Sequence, residues 1–180
     1  NEVDFIARSL GAVLCQDYPA DKIEVLVADG MSKDGTLDVI RTLPGSERVR
    51  IIPNPQLKQA QAMNLAIRQA KGEIVVRVDG HTVIAPNYVR ECVRALAETG
   101  AANVGGPMDP VGITDWGKAI AAAGKSAFAV PSAFHVSDQP QYTDTVYMGA
   151  WKRTLFEKVG LYNPATVPNE DYELNYRIRS

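Results

Sequence analysis

Three short stretches carry side chains able to hold a ligand or move a proton. The first is Asp29-Gly30-Met31-Ser32-Lys33-Asp34-Gly35-Thr36, a carboxylate at the end of an apolar run followed by a glycine-rich loop. Asp29 is suited to accept a hydrogen bond from a base N–H or a ribose hydroxyl, or simply to cap the loop. Asp34-Gly35 reads as a turn whose carboxylate caps the next helix. The second is Arg77-Val78-Asp79-Gly80-His81-Thr82, with a carboxylate and an imidazole two residues apart. One or two such groups suffice for a divalent ion whose other ligands are diphosphate oxygens. The imidazole draws the preference toward manganese or another transition metal. A polar turn is the plainer account of the same residues.

The third stretch is Asn169-Glu170-Asp171-Tyr172-Glu173-Leu174-Asn175-Tyr176-Arg177. Acidic residues at a helix start are favoured by the helix dipole. The same carboxylates could serve as a general base toward an attacking hydroxyl. Arg177, about two turns beyond Asp171, could orient them or a phosphate.

Positioning these stretches requires a regular frame, and the hydrophobic pattern supplies one. Helical spacing runs from about Glu2 to Cys15, from Thr36 to Leu43, from Leu57 to Ala70 and from Pro86 to Thr99. Between them lie β-branched runs at 23–28, 49–52 and 73–78, with a shorter one at 103–105. The alternation predicts an α/β sandwich with a mainly parallel sheet. Ligands of such sheets bind beyond the carboxyl ends of the strands, where Asp29 and Asp79 both fall. Past Gly106 the pattern is less regular. A Gly/Ala/Ser-rich stretch from Gly112 to Phe134 reads as a helix plus a loop. A strand is expected over 143–148, a short helix over 152–159 and a last helix over 169–180. The chain opens on a helix where the rhythm calls for a strand and ends inside a helical pattern. The expectation is one domain over 1–180, truncated at both ends, whose isolated form has unpaired sheet edges.

The 180 residues carry a net charge of −2, with 46% hydrophobic and 22% charged. This is an ordinary globular composition without the basic excess of a nucleic-acid binder. Cys15 and Cys92 have no metal-type spacing and are expected to be buried thiols, which suits a cytoplasmic setting. No apolar run is long enough to span a bilayer, so membrane association, if any, would come through regions outside this chain.

The strings VADGMSKDGT, AMNLAIRQAKGEIVVRVDGHT, GAWKRTLFEKVGLY and NEDYELNYRIR, in that order, resemble the family 2 glycosyltransferases of the GT-A fold. The resemblance covers nearly the whole chain and is strongest to bacterial exopolysaccharide enzymes of the succinoglycan glucosyltransferase type. Asn1-Glu2 matches a pair that follows the family's first strand, which would place the missing strand just upstream. The resemblance implies an inverting, metal-dependent hexosyltransferase of the GT-A, Rossmann-like α/β/α architecture. Its donor would be a nucleoside-diphosphate sugar, UDP-linked by preference. Its acceptor would be a saccharide or lipid-linked saccharide, at the cytoplasmic face of a membrane. Asp29 would contact the base. Asp79 matches the first acid of the DXD motif, and His81 replaces the second, so these two would hold Mn2+ or Mg2+. Asp171 matches the catalytic base, with Glu170 beside it. Asn64 and Arg177 would contact the nucleotide, and Met63 stands where arginine is common, a loss that Lys58 or Arg77 could cover. Trp151 is either a sugar platform or core, and Trp116 and Phe134 are candidates for a lid. A nucleotidyltransferase and a non-catalytic nucleotide-sugar-binding homologue remain open alternatives. A dinucleotide-binding oxidoreductase is set aside for want of a G-x-G-x-x-G after any strand.

Overall fold

A computed structural model describes residues 1–124, 139–166 and 168–180. The elements, in chain order, are α1 (Ile6–Leu14), β1 (Val25–Asp29), α2 (Thr36–Thr42), β2 (Val49–Pro53), α3 (Gln59–Gln69) and β3 (Ile74–Val76). They continue with α4 (Tyr88–Thr99), α5 (Asp115–Gly124), β4 (Ala150–Lys152), α6 (Leu155–Val159) and α7 (Glu170–Arg179).

Ile6 and Leu10 of α1 lie one turn apart and are buried against Val25 of β1 and Ile40 of α2, with Val13 and Leu14 beside them. This is the apolar stripe of an amphipathic helix laid on a sheet. β1 and β2 pair in parallel, from Val25 opposite Val49 to Asp29 opposite Pro53. Asn54 N–H donates to Asp29 O at 2.7 Å, prolonging the ladder by one step.

The second ladder is antiparallel: Ile74 opposes Lys152, Val75 opposes Trp151 and Val76 opposes Ala150. Val104 bridges the far side of Ala150, which is therefore flanked by backbone on both edges. Side chains alternate across this ladder as the pleat requires. Val75 and Trp151 face α3, α6 and α7, where Ala60, Ile67, Phe156, Tyr162 and Leu174 close a core. Ile74, Val76 and Ala150 face Cys92 and Leu96 of α4. Helices thus cover both faces, as the α/β sandwich expectation has it. Among the described residues the two ladders share no backbone pairing.

Several expectations need correction. The strand expected over 143–148 does not form; Met148 (φ 59°) and Gly149 (φ 93°) adopt left-handed backbone and turn the chain into β4. Gly149 N–H donates to Tyr147 O at 2.8 Å within that turn. The strand begins only after it, at Ala150, and the helix expected from Lys152 starts at Leu155. The strand expected at 103–105 is the single bridge at Val104. Cys15 is exposed rather than buried, since it sits at the C-terminal cap of α1; Cys92 is buried as expected. Trp151 is core, 2% exposed, with its ring edge-on to Phe156 at 5.8 Å, so it is no sugar platform. Trp116 on α5 is 83% exposed. Phe134 lies outside the described residues. Among those residues no helix is long and apolar enough to cross a membrane.

Candidate active site

Arg77 continues the line of β3, its N–H donating to Gly149 O at 3.0 Å. Its side chain is only 5% exposed and lies among carboxylates. Nε donates to Asp79 Oδ1 at 2.8 Å and one terminal nitrogen to Asp79 Oδ2 at 3.3 Å. The other terminal nitrogen donates to Asp171 Oδ1 at 2.5 Å, although Asp171 is 94 residues away in sequence. Gln59, at the start of α3, lies between Arg77 and Glu170; with its amide turned so that both ends are satisfied, the oxygen accepts from Arg77 and the NH2 donates to Glu170 Oε1 at 3.1 Å. Burial acts to lower the guanidinium's pKa, but Asp79 and then Asp171 outweigh it and hold the pKa above arginine's ordinary range. The charge is therefore permanent.

Asp171 sits in the first turn of α7, where the dipole favours an acid, and its side chain stays 43% exposed. Glu170 is buried, and its Oε2 has no hydrogen-bond partner. The Tyr162 hydroxyl is also buried without a partner. Burial, then Asp171, push its pKa up, against a smaller opposing effect of Arg77.

Asp79 opens a tight turn in which its carbonyl accepts from Thr82 N–H at 2.9 Å and from Ser9 Oγ at 3.0 Å. His81 on this turn has a 58% exposed side chain, with Nδ1 3.6 Å from Glu2 Oε1. Glu2 also lies across Gly80, where an added Cβ would come within 3.1 Å of Glu2 Cγ.

The Asp29 loop is built by short polar contacts. Asp29 is buried and its Oδ2 accepts from Ser32 N–H at 3.0 Å. Asp34 Oδ1 accepts from Thr36 N–H at 3.1 Å and Thr36 Oγ1 at 2.6 Å, and Oδ2 accepts from Val3 N–H at 3.1 Å. Glu2 N–H donates to Thr36 Oγ1 at 2.8 Å, and Lys33 N–H donates to Asn1 Oδ1 at 2.9 Å. Residues 1–3 therefore stitch the Asp29 loop to the Asp79 turn, and Arg77 joins that turn to Asp171.

Two expected site residues have other work. Asn64 is buried, and its amide exchanges two hydrogen bonds with the backbone of Tyr162. Arg177 donates to both oxygens of Glu173, at 2.6 and 2.7 Å, and to the carbonyls of Val159 and Leu161. Both pin the 159–162 segment to the helices beneath it. Arg77 is the central residue that spacing alone did not single out. Its signal was a charge inside the apolar run Ile74-Val75-Val76-Arg77-Val78, which is tolerated only where partners are waiting.

Among the described residues no group of three or more His, Cys, Asp and Glu side chains is arranged to hold a metal. Asp79 already shares both oxygens with Arg77, leaving His81 as the open donor beside it. That pair suits a cation bound mainly through a diphosphate, not one caged by protein alone.

Residues 1–160 match the family described as Glycosyl transferase family 2. The succinoglycan biosynthesis protein ExoA of Rhizobium meliloti (strain 1021) is 30% identical over 158 residues, covering 86% of this chain and 48% of that protein. A dolichyl N-acetyl-alpha-D-glucosaminyl phosphate 3-beta-D-2,3-diacetamido-2,3-dideoxy-beta-D-glucuronosyltransferase of Methanococcus voltae is 25% identical, covering 99% of this chain and 58% of that protein. The chain thus spans about half the length of the curated relatives it matches. Among solved structures, the mannosyltransferase PcManGT from Pyrobaculum calidifontis, in complex with GDP-Man and Mn2+, superposes with a TM-score of 0.74 at 27% identity. That match covers 99% of this chain and 49% of PcManGT. S. aureus TarS 1-349 in complex with UDP gives 0.72 at 17% identity, covering 99% of this chain and 52% of that one, a likeness of fold alone.

Proposed function

Since the chain belongs to glycosyl transferase family 2 and has its GT-A fold, we propose that it transfers a hexose from a nucleoside-diphosphate sugar to a saccharide or lipid-linked saccharide acceptor. The product would enter a polysaccharide or glycan. The observation that carries this reading is the Arg77 cluster, which brings the strand-end carboxylate Asp79 and the helix-start carboxylate Asp171 together on one guanidinium. A UDP-sugar remains the first donor to try. PcManGT, with its GDP-Man, puts GDP-sugars in the same screen.

In this mechanism an acceptor hydroxyl attacks the anomeric carbon while Asp171 takes its proton. The new C–O bond forms as the bond to the diphosphate breaks, and the electron pair leaves on the diphosphate. A single displacement inverts the anomeric centre. Asp29 accepts from the base or ribose at the far end of the donor. Asp79 and His81 would hold Mn2+ or Mg2+, which when bound supplies neutralising charge at the diphosphate. Alignment of the two reactants contributes much of the acceleration.

The test is a screen of UDP- and GDP-sugars with the full-length protein, with and without manganese, reading released nucleoside diphosphate. Release that depends on acceptor supports transfer. Nucleotide bound without release would make the protein a non-catalytic homologue. Pyrophosphate released with a nucleotide sugar formed would make it a nucleotidyltransferase.

A further inference from the structure

We infer that Arg77 is a positioning residue that couples the donor-side carboxylate Asp79 to the acceptor-side carboxylate Asp171, so that occupation of one side is felt at the other. The inference rests on the glycosyl-transfer reading above and adds to it a physical link between the two halves of the site.

The guanidinium is a rigid planar fork with fixed donor directions. One edge serves both oxygens of Asp79, and the remaining terminal nitrogen serves Asp171. A buried cation of this kind is held in place by its partners, and loss of one is costly. The two carboxylates therefore cannot move independently of it. They belong to different elements, the turn after β3 and the first turn of α7. Gln59 at the start of α3 ties the same cluster to Glu170, so α7 is gripped at two successive residues. The buried Glu170 Oε2 stands beside the network without a partner.

A diphosphate arriving next to Asp79 changes the charge that Arg77 faces. Its hold on Asp171 changes with it, and linkage makes the effect reciprocal. Removing the charge of Asp171 must then alter nucleotide affinity, although Asp171 sits on the acceptor side.

The experiment is a double-mutant cycle on the full-length protein, titrating UDP and, separately, GDP in the presence of Mn2+ by calorimetry. The proteins are wild type, Asp171→Asn, Arg77→Lys and the double variant. Asp171→Asn is expected to shift the dissociation constant about fivefold in the wild-type background. In the Arg77→Lys background the same change is expected to shift it less than about twofold, because a flexible ammonium does not reproduce the rigid fork that fixes the two carboxylates relative to one another. An equal shift in both backgrounds overturns the coupling, whatever Arg77→Lys does to the melting temperature. If Arg77→Lys does not fold, the wild-type background decides alone: unchanged affinity in Asp171→Asn overturns the coupling, and a fivefold shift upholds it. A wild-type protein that binds neither diphosphate overturns the glycosyl-transfer reading itself, and this inference with it. Binding with a null cycle overturns only the coupling.

Discussion

Asn64 and Tyr162, 98 residues apart, exchange a reciprocal pair of hydrogen bonds: Asn64 Nδ2 donates to Tyr162 O at 2.8 Å, and Tyr162 N–H donates to Asn64 Oδ1 at 2.9 Å. Both lie in the buried layer between α3 and α7. Asn64→Ala strands a buried N–H and a buried carbonyl at once. The expected loss is roughly 2–4 kcal/mol of stability, seen as a lower urea midpoint with the slope unchanged. Nucleotide affinity below the transition should not change. A variant of normal stability with weakened nucleotide binding would return Asn64 to the donor site.

Asp171→Asn tests the base. It keeps the shape and the helix start but removes the proton acceptor. Turnover is expected to fall by a factor on the order of 10²–10⁴, while donor still binds within about tenfold of normal. The check is steady-state kinetics together with nucleotide titration, and near-normal kcat would remove Asp171 from the role of base.

Asp34 gives a pH signature. The Thr36 hydroxyl, with smaller help from the Val3 and Thr36 N–H groups, holds its pKa at about 2 against an ordinary 3.8. Because the folded value is the lower one, the folded state binds fewer protons here. The stabilisation is present above the ordinary value and fades as pH falls from about 3.8 through about 2. Melting curves between pH 5 and pH 2 should show a steeper acid loss for wild type than for Asp34→Asn. Parallel losses would mean that the hydrogen bond from the Thr36 hydroxyl to Asp34 does not form in solution.

Gly149→Ala tests the turn that sets β4. The residue has φ 93°, and a Cβ there would lie 2.4 Å from the Trp151 ring and 2.7 Å from Asn103 Oδ1. Backbone strain and overlap with a buried indole act together, so the expected destabilisation exceeds about 3 kcal/mol. Thermal melting would show it, and an unchanged midpoint would mean that the turn has another conformation.

Much of the frame was legible because period and capping are local. The stripe Ile6, Leu10, Val13, Leu14 and the run ending at Asp29 can be read without knowing what they touch. The elements that escaped are those fixed by distant partners. Ala150-Trp151-Lys152 is too short to show a period, and it is a strand because β3 and Val104 lie on either side. The site divided along the same line. The places of Asp29 at the end of β1, of Asp79 just past β3 and of Asp171 at a helix start were legible from the local pattern; their roles belong to the proposal. The contacts of Asn64 with the backbone of Tyr162, and of Arg177 with Glu173 and the carbonyls of Val159 and Leu161, join segments far apart in sequence or set by the fold, and no motif announces them. Arg77 needed coordinates, because no spacing rule predicts that residues 77 and 171 share a hydrogen bond.

The chain's two tryptophans stand at opposite extremes of exposure, Trp151 at 2% and Trp116 at 83%. Intrinsic fluorescence is therefore the sum of two separable signals. Iodide reaches Trp116 and not Trp151, so the quenchable, red-shifted component reports on α5. The protected, blue-shifted component reports on the packing behind β3 and β4. One emission spectrum can thus tell an event at the surface helix from a loosening of the core beneath the Arg77 cluster.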